Sequence, residues 1–78
     1  MKEITLDIDN VCSADEFYDL LGKEIELPAY FGRNLDALYD VLTEQQVILR
    51  LVNTEVMEAV APKFIRKLNR MLEDISDE

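Results

Sequence analysis

At 78 residues the chain is one domain, near the size at which a hydrophobic core gives only marginal stability. Apolar residues make up 49% of it, too many for a disordered segment, while the absence of His and a single Cys, Cys12, leave no internal disulfide or metal-stapled fold. With 8 Lys and Arg against 17 Asp and Glu the net charge is −9, which argues against nucleic acid as a partner, since binding it requires a basic surface. The acids are concentrated: residues 1–45 hold 11 acids and 3 bases, residues 46–78 hold 6 and 5. That asymmetry suits a basic protein partner, because opposite fields speed encounter, and it also serves plain solubility. No apolar run approaches the roughly 20 residues of a membrane span, and no charged-then-apolar leader is present, so the expected location is the cytoplasm.

The segment KEITLDID, 2–9, alternates Ile4, Leu6 and Ile8 with Thr5, Asp7 and Asp9, the period of a half-buried strand. In SADE, 13–16, Ser13 can cap a helix and Glu16 can close a capping box. Phe17, Leu20, Leu21 and Ile25 then recur at helical spacing, which predicts a helix over 14–25 weakened near its end by Gly22. Pro28 drives Leu27 out of the helical region, and an extended turn begins there. Tyr30, Phe31 and Gly32 make the bend, where Gly32 can take a positive φ at no steric cost and Phe31 is expected to plug the core beneath the loop.

Asn34 is a suitable N-cap for a second helix, whose buried stripe is Leu35, Leu38 and Leu42. QVILRLV, 46–52, reads as a second strand. Asn53 or Thr54 can cap a short helix EVMEAVA, and Pro62 ends it or starts the next. Phe64, Ile65, Leu68, Met71, Leu72 and Ile75 form the apolar stripe of a last helix, and the acidic end, 73–78, is expected to fray. Two strands separated by two helices cannot form a tight hairpin, so a parallel pair is expected. The fold class is therefore α/β, a very small sheet packed with three or four helices.

Asp36 and Asp40 lie one helical turn apart, where like charges repel by a few tenths of a kcal/mol. Asp36 is excused by the helix N-terminus, whose dipole favours an anion; Asp40 in mid-helix has no such reason. A cationic partner would reverse the sign of that repulsion. Tyr30 and Tyr39 flank the pair with large amphipathic side chains of the kind enriched at interface centres. Two carboxylates supply too few oxygens for a Ca²⁺ or Mg²⁺ site, so no metal or other cofactor is expected. With no His, and a lone Cys without a partner base, nucleophilic and most general-base chemistry is unavailable, so no enzyme is expected.

LPAYFGRNLDALYDVLT, 27–43, resembles the signature of the barstar family, small intracellular inhibitors of barnase-type ribonucleases. The shared pattern is Leu-Pro, an aromatic pair, Gly, Asn-Leu-Asp-Ala-Leu, aromatic-Asp and Leu-Thr, specific over about 17 residues, and the order of elements is similar through about residue 75. The resemblance implies that the loop and second helix plug a ribonuclease active site. It places Tyr30 as the loop aromatic, Asp36 and Asp40 as the two helix acids, and Tyr39 as the aromatic between them. Asp40 would then mimic an RNA phosphate toward Arg, Lys or His⁺. Gly32, Asn34 and Thr43 fall on positions of the same motif and complete the implied partner-binding set. The implied partner is a basic ribonuclease of the extracellular type, met by a barstar-like domain spanning 1–78.

Two departures accompany the match. The family carries a third strand after the last helix, whereas here the sequence ends in ISDE, so the sheet is expected to have two strands and an open edge. That edge makes a weak homodimer the alternative to a monomer. The family's last helix also adds an acidic contact, whereas here Lys63, Arg66, Lys67 and Arg70 form a basic stripe at i, i+3, i+4 and i+7. The stripe is either a solvated face that balances the acidic half or a contact surface for an anionic partner. These departures keep open a second function, a barstar-like binding module with a different basic partner and no ribonuclease inhibition.

Overall fold

The computed structural model describes residues 2–76, with side chains through 75. The chain runs β1 (Lys2–Asp7), α1 (Ala14–Glu24), α2 (Leu35–Glu44), β2 (Val47–Val52), α3 (Glu55–Val60) and α4 (Pro62–Ser76). β1 and β2 pair in parallel, Lys2 opposite Val47 through Asp7 opposite Val52, and among the described residues the sheet has these two strands. The period of two in β1 sorts its faces: Ile4 and Leu6 are buried, while Glu3, Thr5 and Asp7 are exposed. On the open face Arg50 Nη2 meets Glu3 Oε1 at 3.0 Å across the pair. On the other face α2 and α4 pack against β2. Two strands alone would be marginal; the burial of Leu6, Leu38, Leu42, Met57 and Leu68 between sheet and helices makes the sheet one wall of a core.

Local chemistry explains the helix ends. Ser13 Oγ accepts from Glu16 N, but the reciprocal bond is displaced by one residue, since Glu16 Oε2 accepts from Cys12 N at 2.7 Å. Asn34 Oδ1 accepts from Ala37 N at 2.8 Å and caps α2. Thr54 occupies the N-cap position of α3 without capping it, and its hydroxyl donates to Glu58 Oε2 instead. Asn53 takes a different part: at φ 58° it turns the chain out of β2, and its Nδ2 donates to Asp7 Oδ1 at 3.1 Å, pinning the ends of the two strands together. Pro62 opens α4, where its missing N–H costs nothing.

The acidic end expected to fray, 73–78, lies partly outside the described residues. α4 continues through Glu73, Asp74 and Ile75 to Ser76, and residues 77 and 78 lie outside the described part. Ile75 is only 4% exposed: it falls on the stripe of Ile65 and Leu68, and its burial holds the last turn despite the acids around it. Ile75→Ala should therefore cost about 2–5 kcal/mol in urea unfolding, the range for truncating a buried Ile, whereas a frayed end would give almost nothing.

The hydrogen bond from Asn53, and then that from the Asp9 amide, hold the Asp7 carboxyl below its ordinary value. A folded-state pKa lowered in this way contributes stability above the unfolded carboxylate range and loses it as pH falls through the folded value. The urea midpoint of Asp7→Asn should accordingly vary less than that of the wild type between about pH 4 and pH 2.

Candidate functional site

The loop 27–34 is anchored from three sides, which makes it a platform for the residues it exposes. Phe31 N donates to Pro28 O at 2.9 Å, closing the turn, and the half-buried Phe31 ring meets Tyr18 of α1 edge to face at 5.6 Å. Phe31 is the core plug expected of it. The far end of α2 is tied back to the loop's start, Gln45 Nε2 donating to Glu26 O at 2.7 Å.

The third anchor is Arg33, which sequence reasoning missed. Its Nη2 donates to the Asp15 carbonyl at 2.7 Å and reaches Asp19 Oδ1 at 3.2 Å and Asp15 Oδ1 at 3.4 Å, while its guanidinium carbon lies 5.6 Å from the Tyr18 ring centroid. A lone Arg in a run of eleven acids was the available signal, but only the packing of α1 beside the loop shows which acids it meets.

Arg33 also corrects the expectation for Gly32. The positive φ belongs to Arg33, at 50°, and no glycine has one. Gly32 is required for space: a Cβ there would come within 2.8 Å of Asn34 Nδ2, the amide that donates to Gly32 O at 3.2 Å. Because Asn34 is already committed to capping α2, that side chain cannot swing away without loss of the cap.

The seven residues singled out from the sequence fall into three groups. Tyr30, Gly32 and Asp40 surround a hollow of ≈ 110 Å³ between loop and α2, floored by Pro28, Phe31 and Val41. Tyr30 is 86% exposed, an unusual state for a large aromatic on an anchored loop. Asn34 and Asp36 line a separate groove beside α4. Tyr39 and Thr43 border neither; both are half-buried, and the Thr43 hydroxyl donates back to the carbonyls of Tyr39 and Asp40. Glu44 joins the hollow and was also missed, although it continues the spacing of Asp36 and Asp40 by one further turn. Among the described residues none of these three acids forms an ion pair, so α2 carries an uncompensated acidic line. The described residues contain no cluster of three or more His, Cys, Asp or Glu able to hold a metal, and no helix long and apolar enough to cross a membrane.

Comparison with known proteins gives a family for the chain. Residues 1–78 match the family described as Barstar (barnase inhibitor). A protein of Bacillus subtilis (strain 168) named "Putative ribonuclease inhibitor YrdF" is 40% identical over 43 residues, which cover 55% of this chain and 47% of that protein. The match thus spans about half the length of this curated relative. No solved structure gives a significant match.

The Arg33 anchor makes a separable prediction. Arg33→Ala should speed hydrogen exchange at the Phe31 amide by releasing the loop, at a global cost of about 1 kcal/mol, since exposed ion pairs are weak. Arg33→Gly should release the loop equally but be more stable than Arg33→Ala by about 1 kcal/mol, because glycine removes the strain of φ 50°.

Proposed function

The chain belongs to the barstar family, and from that premise we propose that it inhibits a barnase-type ribonuclease by covering the active site with loop 27–34 and the acidic line of α2. In this mechanism Asp40 occupies the place of an RNA phosphate against the enzyme's cations. Asp36 and Glu44 widen the acidic face by one turn on either side, and Tyr30 lies flat against the rim of the enzyme's cleft. Tyr39 and Thr43 steady the turn that carries Asp40, while Gly32 and Asn34 hold the loop's closure onto α2. The partner is a protein with a basic cleft, and the inhibitor does its work in the cytoplasm.

One observation carries the reading: an 86% exposed Tyr30 and an unpaired Asp40 share one hollow on an anchored loop. A free chain gains nothing from this arrangement, because a like-charged line on a helix costs stability. A basic cleft turns the repulsion into attraction and steers encounter. The three anchors mean that little loop entropy is lost on docking, which is where preorganised interfaces gain affinity. A barstar-like module for another basic protein, without ribonuclease inhibition, is the second reading; the loss on α4 of the acidic contact that the family carries is the feature that favours it.

Titration of a barnase-type ribonuclease should abolish RNA cleavage at one equivalent, and no inhibition at micromolar chain would select the second reading. Asp40→Ala should weaken the complex by about 2–5 kcal/mol, because the enzyme's cations are left buried and unpaired, a logic for which the barnase–barstar pair is itself the standard example. Asp36→Ala should cost less, part of its charge serving the helix N-terminus. The free Asp40→Ala protein should be as stable as the wild type or slightly more so. Unfolding of that variant, or undiminished binding, would overturn the mechanism.

A further inference from the structure

The groove on the other side of Asn34 and Asp36 has the opposite character. It is an open trough of ≈ 600 Å³ between α1, the start of α2 and α4, with Lys63 and Lys67 on its α4 side. One turn separates the two lysines, so their ammonium groups project from the same side of α4. Among the described residues neither forms an ion pair, and Arg33, the third cation at the groove, is already committed to Asp15 and Asp19. A chain with a net charge of −9 and only 8 bases thus leaves two of them uncompensated along one trough. The other half of the stripe, Arg66 and Arg70, faces a different groove, between α3 and α4. Helical periodicity therefore divides the four cations between two surfaces.

The trough also has an apolar wall, from Phe64, Leu35 and Ala14, and an unmade hydrogen bond. Tyr18 lines it although the residue is only 2% exposed, and among the described residues its buried hydroxyl has no hydrogen-bond partner. Such a group is costly to leave unmatched. Burial raises the phenol above its ordinary value, against the opposing pull of Arg33, so it stays protonated and a donor at neutral pH.

We propose that this trough is a second docking surface, which takes an acidic segment of a protein partner, a carboxylate between Lys63 and Lys67 with a neighbouring aromatic or aliphatic side chain against Phe64 and Leu35. The charge selects the sign of the occupant, and the wall selects a side chain over a simple ion. A nucleic acid is disfavoured because its phosphates extend beyond two lysines onto Asp36 and the acidic α2, where every further charge is repelled. The surface does not depend on ribonuclease inhibition: the trough shares no lining residue with the hollow at Tyr30 and Asp40.

The test is titration of the isotope-labelled full chain with a blocked peptide of glutamate, phenylalanine and glutamate, followed by amide and lysine side-chain chemical shifts. Saturable shifts are expected at Leu35, Asp36, Lys63, Phe64 and Lys67, with millimolar affinity suited to so small a probe. The double variant Lys63→Gln with Lys67→Gln should weaken binding at least tenfold, while Arg66→Gln with Arg70→Gln should leave it within twofold. A neutral peptide with glutamines in place of the glutamates should not bind. The proposal is overturned by absence of saturable shifts, by equal loss in both double variants, or by a short oligouridylate binding the same residues more tightly than the peptide. No ribonuclease is present in the experiment, so failure here leaves inhibition standing, and a chain that inhibits nothing can still bind the peptide.

Discussion

Edge-to-face contact around Tyr18 joins the parts of this protein that the chain keeps far apart in sequence. Its ring meets Phe17 at 5.4 Å, Phe31 at 5.6 Å and Phe64 at 6.0 Å, and Phe17 meets Phe64 at 5.7 Å. α1, the exposed loop and α4 are thus locked through one aromatic cluster, each contact contributing about 0.5–1.5 kcal/mol beyond simple burial. In a domain this small, where total stability is a few kcal/mol, such a cluster decides where the loop sits. With Phe31 inside it, Tyr30 is turned outward by its position next in the chain, and the guanidinium of Arg33 closes over the outer side of Tyr18.

Arg33 shows how backbone strain and side-chain contacts can support each other. A left-handed φ at a non-glycine residue costs about 1–2 kcal/mol, and a glycine there would be more comfortable. A glycine, however, could not reach Asp15 and Asp19. The charge-assisted bonds to α1 offset the strain and give the loop its orientation before any partner arrives. The same economy appears at Asn34, whose one side chain caps α2 through its oxygen and holds Gly32 through its nitrogen. The exposed face is consequently built on elements that keep their shape, which suits recognition better than a flexible acidic tail.

Charge is separated across the molecule as well as along the chain. The acidic line of Asp36, Asp40 and Glu44 runs along α2, while Lys63 and Lys67 stand across a groove on α4. Neither set is neutralised internally among the described residues, although Arg50 finds Glu3 and Arg33 finds two aspartates. Charges left open in this way are available to a partner of opposite sign.

The barstar-like motif, the α/β class, the parallel pairing, the apolar stripes and the Asn34 cap were legible in the sequence because each rests on interactions within a few residues: a period of two or 3.6, a capping side chain, a proline before a turn. The acidic pair, and the want of a helix-terminal role for Asp40, were legible for the same reason, one helical turn being a local distance. What the local pattern could not supply was anything set by which element lies across from which. Ile75, on the apolar stripe yet within the acidic end, was read both ways until the core received it. The positive φ moved from Gly32 to Arg33 because α1 offered Arg33 its partners. Asp36 and Asp40 came to border different hollows, and Lys63 and Lys67 a different groove from Arg66 and Arg70, because neighbouring helices pack along different sides of α2 and α4. The sequence by itself determined the family, the elements and the acids of α2; only the tertiary structure decided the grooves those acids border and the anchors that hold the loop, because burial and ion pairing depend on distances that the chain closes only when its helices pack.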